Sequence, residues 1–179
     1  MRSYKIEGVV IKRRNIGEAD RILTVFSKNQ GKISIKAVGV RRIKSRRSSH
    51  IELLNHSFLY VYKNRSLPIL TEAESLESFQ DIKNSLRKVA LAYHICELVD
   101  NLCPENQVNN SLFPLLINTL KDLSYKNDVD YVIKEFEMNL LKDLGFLPGN
   151  FFKEINTHSF IEGILEKKLK SKQLFADLV

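Results

Sequence analysis

The hydrophobic periodicity of the chain changes near Phe79, and this change constrains the fold more than any other feature. Before it, apolar and polar residues alternate in short runs separated by turn residues, which is typical of half-buried strands. After it, apolar residues recur every three or four positions, as on one face of an amphipathic helix. The sequence therefore predicts an α+β chain, with a β domain at residues 1–78 and an all-α helical domain at residues 79–179.

The first domain is predicted to be a small barrel. A short turn, Asn29 to Gly31, joins the second and third strands, and the longest connection lies between the third and fourth. Five short strands with this spacing are typical of a five-stranded Greek-key barrel of the OB-fold type. In the third strand, Lys32, Ser34 and Lys36 are expected to face outward. The predicted strands are Tyr4–Arg14, Arg21–Phe26, Lys32–Val38, Ser57–Lys63 and Leu67–Ala73.

Four helices are predicted in the second domain. The first is continuous from Phe79 to Pro104. The second begins near Asn110 or Ser111, and the third runs from Asp128 to Gly145, which ends it in the left-handed conformation. The last begins at a capping box formed by Ser159 and Glu162.

Positive charge is concentrated in the first domain. Residues 1–80 contain 16 Lys and Arg against 7 Asp and Glu, whereas residues 81–179 contain 12 against 14. This asymmetry indicates a polyanionic partner for the first domain. Because loops at strand ends border the usual nucleic-acid groove of such barrels, basic residues there are candidate phosphate contacts. They are Lys12, Arg13, Arg14, Lys36, Arg41, Arg42, Lys44, Arg46 and Arg47.

Aromatic residues alternate along the fourth strand. If Leu59 and Val61 fill the barrel, Phe58, Tyr60 and Tyr62 face outward. Bases can stack on such rings, so Tyr60 and Tyr62 are candidate DNA contacts. Packing of these rings against the helical domain is an equally good interpretation.

No catalytic or metal site is predicted. Glu18 and Asp20 form the one compact carboxylate pair of the first half, and they are expected to cap a turn or to pair with Arg21. The two cysteines are expected to be buried helix residues too far apart for a disulfide, and the four histidines are scattered singly. Neither a membrane-spanning segment nor a secretion signal is recognised, so the expected location is the cytoplasm. We expect no cofactor.

Several blocks of the sequence resemble one protein family in the same order. These blocks are Gly17–Phe26, Gly31–Ser34, Ala37–Arg42, Leu67–Glu74 and Leu144–Pro148. Together they are similar to the bacterial RecO family of DNA repair and recombination proteins.

The resemblance implies an OB-fold domain followed by a helical domain, without enzymatic activity. It implies binding of single- and double-stranded DNA without sequence preference, and annealing of complementary strands. The implied partners are RecR, the acidic C-terminal tail of single-stranded-DNA-binding protein and, indirectly, RecA. We expect a basic groove with an apolar floor for that tail in the helical half.

One departure from the family concerns zinc. Many members carry four zinc-binding cysteines after the Leu-Gly-Phe-x-Pro segment, but residues 149–179 contain no cysteine. We therefore expect no structural zinc, and contacts that partners make through that region are in doubt. Two other functions remain open: an RNA-binding OB-fold module in translation or ribosome assembly, and a metal-dependent nuclease using Glu18 and Asp20.

Overall fold

The computed structural model describes residues 3–148 and 155–171, which form two compact units. The barrel unit extends to Ser78 and also includes Pro104–Val108. The helical unit contains Phe79–Cys103 and the residues from Asn109 onward. Among the helices in these described ranges, none combines the length and the apolar character that crossing a lipid bilayer requires.

The barrel unit is a closed five-stranded barrel with the strand order β1-β2-β3-β5-β4. All pairings are antiparallel except the parallel contact between β3 and β5. This is the OB-fold topology, and the predicted fold class is confirmed. A single 3-10 turn, Ser48–Ile51, interrupts the connection between β3 and β4. The strands are β1 Ser3–Ile16, β2 Asp20–Ser27, β3 Gly31–Ala37, β4 His56–Tyr62 and β5 Ile69–Glu77.

The barrel core is built from the alternating apolar residues of every strand. Leu23 of β2 pairs with Ile35 of β3, and both are fully buried. Because successive residues of a strand point to opposite faces, the chain neighbours of these buried residues are directed outward. All five predicted strands are present, although β5 extends to Glu77 because its pairing with β4 continues as far as His56.

The prediction that Lys32 faces solvent is wrong. Only 7% of this residue is exposed. Its backbone oxygen accepts a hydrogen bond from the Asn106 N–H at 2.9 Å, and the segment Pro104–Val108 lies along this end of β3. The adjacent Gly31 has a φ of +67°, and a Cβ there would clash with the carbonyl of Gln107. A segment distant in sequence therefore covers a position that the alternation alone assigns to the surface.

The predicted first helix is interrupted. Its apolar period continues through Asn84 and Ser85, but the backbone leaves the helix there and the Ser85 side chain caps the next helix by accepting from the Lys88 N–H. The described helices are α1 Gln80–Lys83, α2 Leu86–Leu102, α3 Leu112–Tyr125, α4 Val129–Asp143 and α5 Thr157–Leu165.

The predicted boundaries of α4 are confirmed, and α3 begins directly after Ser111 as predicted, but the predicted start of the last helix is wrong. Asp128 caps α4 by accepting from the Tyr131 N–H, and Gly145, with a φ of +81°, ends it. The α5 helix is capped by Asn156, whose side chain accepts from the Ser159 N–H. Ser159 is therefore inside the helix, because Asn156, three positions earlier, is the capping residue.

Both cysteines are buried and neither is in a disulfide, as predicted, but the histidines are not all scattered. Cys96 lies within α2 and Cys103 follows its end. His94 and His158, which are 64 positions apart in the sequence, stack with ring centroids 5.6 Å apart in the helical unit. Sequence spacing gives no sign of this contact because it joins α2 to α5.

Candidate nucleic-acid interface

One row of residues crosses all the barrel strands on the outer surface. The register places Arg14 opposite Ile22, Ile22 opposite Lys36, Lys36 opposite Ile69, and Ile69 opposite Tyr62. Their chain neighbours Leu23, Ile35 and Leu70 are buried in the barrel, so the row faces outward. We call these five residues the outer row. It brings together three predicted contacts, Arg14, Lys36 and Tyr62, from three strands.

Residues 39–49, the basic loop, are fastened to the turn between β1 and β2. The Gly39 N–H donates to Asp20 Oδ1 at 2.8 Å, and the Arg41 N–H donates to the Ala19 carbonyl at 3.0 Å. The Arg41 guanidinium also donates to the Gly17 carbonyl at 3.1 Å. These contacts hold the start of the basic loop beside the end of β1, where Arg14 begins the outer row.

The tip of the basic loop is fully open to solvent. Arg42, Lys44 and Arg46 are exposed, and Ile43 between them is completely exposed. The side chains of Arg14, Lys44 and Arg46 make no hydrogen bond or ion pair with the residues that the structure describes. An exposed set of cations that the fold itself does not use is suited to contacting phosphates.

Two predicted contacts hold the fold instead. Arg13 Nη1 lies 2.5 Å from Glu52 Oε2. Arg47 donates one guanidinium hydrogen to the Leu70 carbonyl at 2.7 Å and another to the Val38 carbonyl at 2.8 Å. Both side chains are only partly exposed, so they are weaker candidates for phosphate contacts than Arg14, Lys44 and Arg46.

The connection between β4 and β5 adds two cations that the sequence reasoning missed. Lys63 and Arg65 are exposed in this loop. The loop ends beside the outer row, because the Pro68 carbonyl accepts from the Lys36 N–H at 2.8 Å. In OB-folds this loop borders the nucleic-acid groove, so the predicted topology already contained the signal needed to include them.

The aromatic residues of β4 lie partly beside cations and partly beside carboxylates. Leu59 and Val61 are fully buried, which confirms that Tyr60 and Tyr62 point outward. Tyr62 belongs to the outer row, whereas Tyr60 lies opposite Glu72, and the next exposed pair along the ladder places Phe58 opposite Glu74. Carboxylates repel phosphates, so Tyr62 is better placed than Tyr60 to contact DNA.

The Lys5 ammonium lies over the rings of Phe58 and Tyr60 in β4. Its Nζ lies 3.3 Å from the centre of the Phe58 ring and 5.5 Å from that of Tyr60. This cation–π contact competes with a base for the same ring face. The structure therefore separates the two predicted tyrosines, and only Tyr62 adjoins the cations of the outer row.

Asp20 has a structural part in this surface. Its Oδ1 accepts from the Gly39 N–H, and its Oδ2 lies 3.3 Å from Lys36 Nζ. The Gly39 hydrogen bond first, and then the Lys36 ammonium, lower the pKa of Asp20 below its ordinary value. Asp20 thus accepts from the loop after β3 and not from its own turn, and its ion-pair partner is Lys36, not Arg21, whose guanidinium contacts Asn15 and Glu52.

Comparison with known proteins agrees with this architecture. Residues 1–79 match the family model described as Recombination protein O N terminal, and residues 83–161 match Recombination protein O C terminal. The chain belongs to the RecO family. The two matched segments follow each other in the same order as the barrel unit and the helical unit, which agrees with the resemblance predicted from the sequence blocks.

Relatives named DNA repair protein RecO match most of this chain. That of Acetivibrio thermocellus is 39% identical over 150 residues, covering 83% of this chain and 59% of the relative. That of Dehalococcoides mccartyi is 34% identical over 145 residues, covering 81% and 57%. That of a Roseiflexus species is 35% identical over 147 residues, covering 82% and 52%. The chain spans a little over half the length of these RecO relatives.

The helical unit of this RecO-family chain contains an open cleft of about 990 Å³. Leu86, Leu91 and Ile133 supply apolar lining, and Arg87 and Lys134 supply positive charge. Asp130 binds Arg87 with both oxygens, at 2.8 and 2.6 Å, which reduces the net charge at that end. The lining also includes the Glu137 carboxylate, so the cleft is apolar with two cations and two carboxylates and not strongly basic as a whole.

Proposed function

We propose that this chain binds single- and double-stranded DNA without sequence preference, and that it acts in DNA repair and homologous recombination. The observation that carries the proposal is the outer row, where Arg14, Lys36 and Tyr62 are aligned across the barrel beside the exposed cations of the basic loop. Lys and Arg bind phosphates regardless of base identity, and an exposed tyrosine stacks on any base.

Strand annealing follows from the same electrostatics. Two complementary strands repel each other through their phosphates, and a surface that contacts both backbones lowers this repulsion. Contacts to phosphates carry no sequence information, so bound strands can shift register while their bases search for partners. No bond is made or broken in this mechanism, and we propose that the chain is not an enzyme. Asp20, the candidate nuclease carboxylate, is already engaged by Gly39 and Lys36.

The mediator role involves other proteins. We propose that the chain acts with RecR and so assists the loading of RecA indirectly, as the family resemblance implies. Family membership supports this part of the proposal, and the barrel surface supports the DNA-binding part.

The cleft of the helical unit is proposed to hold the acidic C-terminal tail of single-stranded-DNA-binding protein. Lys134 would attract the carboxylates, while Leu91 and Ile133 would contact apolar side chains of the tail. Burial of an apolar anchor beside a charged rim is a common design of such peptide sites.

The DNA proposal is tested by a salt series with a fluorescent single-stranded oligonucleotide. The interface variant changes Arg14, Lys44 and Arg46 to Ala. Each lost phosphate contact lowers the slope of log affinity against log salt by about 0.7 on single strands, so we expect the slope to fall by about 2. The control variant carries three exposed lysines of the helical unit as alanines, with the same loss of charge. They are Lys121, Lys126 and Lys170.

Equal slopes in the interface and control variants would show that overall charge, not this surface, binds DNA. The same series on an RNA oligonucleotide of equal length tests the alternative of an RNA-binding module. Marked preference for RNA would require contacts to the 2′-hydroxyl and would favour that alternative. Equal binding of both nucleic acids at matched salt agrees with phosphate recognition.

The tail-binding proposal has its own test. Anisotropy of a labelled peptide with several aspartates and an apolar C-terminus is measured with native protein and with Lys134→Ala. Weaker binding by Lys134→Ala, but not by the exposed Lys121→Ala, is expected. Unchanged binding in Lys134→Ala would remove the cleft from the proposal without affecting the DNA-binding surface.

A further inference from the structure

Three side chains with metal-binding atoms meet within the helical unit. His94 comes from α2, Glu137 from α4 and His158 from α5, and their ligand atoms all lie within 4.8 Å of one another. His94 is 1% exposed and Glu137 is 5% exposed. A buried carboxylate is costly unless it is paired, and Glu137 is paired with His94 and Thr157.

His94 and Glu137 each use one polar atom for a hydrogen bond to a residue outside the cluster, and the other polar atom faces the cluster. His94 Nδ1 lies 2.8 Å from Ser171 Oγ, and the Thr157 hydroxyl donates to Glu137 Oε2. The remaining atoms, His94 Nε2 and Glu137 Oε1, face each other at 2.7 Å. In metal sites, hydrogen bonds of this kind to the outer atoms fix the tautomer of the imidazole and the orientation of the carboxylate.

His158 provides an independent observation. Its Nε2 is buried and has no hydrogen-bond partner among the residues that the structure describes. The Glu162 carboxylate is 3.7 Å away, beyond hydrogen-bond distance, and the ring stacks on His94 with an angle of 23° between the planes. A buried imidazole nitrogen without a hydrogen bond loses its hydrogen bond to water and does not regain it in the folded chain. A ligand at the cluster would remove that cost.

The cluster is accessible from outside. His94, Glu137 and His158 all line the 990 Å³ cleft, together with polar residues such as Asn156. An ion can therefore enter through the cleft, and water from it can complete the coordination. Three protein ligands with one open position are a common arrangement for zinc.

We propose that His94, Glu137 and His158 form a binding site for a divalent transition-metal ion of the zinc class. Two imidazoles and one carboxylate suit such an ion, whereas magnesium and calcium prefer oxygen ligands throughout. Binding displaces the proton shared by His94 and Glu137, which passes to solvent. The ion fastens α5 to α2 and α4. The site uses no cysteine, and its ligands are too far apart in the sequence for spacing to predict it.

The experiment uses the untagged chain, stripped with a chelator and titrated with zinc chloride by calorimetry. We expect one zinc ion per chain and a higher melting temperature with zinc than with magnesium. His158→Phe keeps a stacked ring but removes both nitrogens. Because it removes a ligand and not only a residue that supports one, it should weaken zinc binding by more than about tenfold. Ser171→Ala, which removes only the support of His94, should weaken it by about tenfold.

The matched control is His56→Phe in the barrel unit, which should leave zinc affinity unchanged. Cobalt in place of zinc adds a spectroscopic signature, because a protein site of low symmetry gives visible absorption that His158→Phe should abolish. His158 lies at the cleft wall and is partly exposed, so its variant tests the site even if changes at His94 or Glu137 prevent folding. Absence of saturable zinc binding, or equal affinity in native protein and His158→Phe, would overturn the proposal.

Discussion

Arg46 and Arg47 are neighbours in the basic loop, but the structure predicts opposite roles for them. The Arg46 side chain is exposed and makes no hydrogen bond or ion pair with the described part of the chain. Arg47 donates to the carbonyls of Leu70 and Val38, and so joins the loop to β5 and to the end of β3. Replacement of each by alanine separates binding from folding.

The expected magnitudes differ by several-fold. A hydrogen bond from a charged donor contributes about 1.5–3 kcal/mol, and the two bonds of Arg47 are partly screened because the side chain is partly exposed. We therefore expect Arg47→Ala to lower the free energy of unfolding by about 2–3 kcal/mol. Arg46→Ala should change it by less than about 0.5 kcal/mol. Arg46→Ala should instead lower the salt slope of single-stranded DNA binding by about 0.7.

Urea denaturation followed by circular dichroism measures the stability of both variants, and oligonucleotide anisotropy measures the slope. Arg47→Lys is the informative third variant: it keeps the charge but cannot reach both carbonyls, so it should lose most of the same stability. The reasoning fails if Arg47→Ala is as stable as Arg46→Ala, or if Arg47→Lys restores full stability.

Three further changes have distinct expected results. Ile43→Ser should leave stability unchanged, since Ile43 is fully exposed. It should weaken DNA binding by the same factor at every salt concentration, because an apolar contact releases no counterions. A change in salt slope would contradict this. Gly31→Ala should lower the free energy of unfolding by more than about 1 kcal/mol, owing to its φ of +67° and the clash with Gln107; a native melting temperature would refute it. Burial raises the pKa of Cys96 to about 12, so iodoacetamide should label this thiol only after unfolding, as peptide mass spectrometry can show; rapid labelling of native protein would count against its burial.

The sequence predicts the barrel well because each strand buries one face. The alternation through Ile33 and Ile35 is a direct consequence of that burial and can be read locally. Lys32 is the exception, since the segment that covers it, Pro104–Val108, follows about 70 residues later. The interruption at Asn84 and Ser85 was also missed, because the helical period of apolar residues continues across it.

The candidate site could be predicted in composition but not in arrangement. Charge asymmetry identifies the cations of the basic loop, yet nothing local distinguishes Arg46 from Arg47. The distinction depends on carbonyl groups of Val38 and Leu70, which only the folded chain brings to the loop. The contact between His94 and His158 has the same origin, because it joins helices whose relative positions no local pattern encodes.

The most direct test of the central claim is the rate at which two complementary, fluorescently labelled strands anneal. The native chain and the Lys121, Lys126 and Lys170 control should both accelerate annealing well above the spontaneous rate. The variant lacking Arg14, Lys44 and Arg46 should anneal strands at close to the spontaneous rate while remaining as stable as the native chain. If the native chain does not accelerate annealing, or if all three proteins accelerate it equally, the outer row and the basic loop are not the surface that pairs DNA strands.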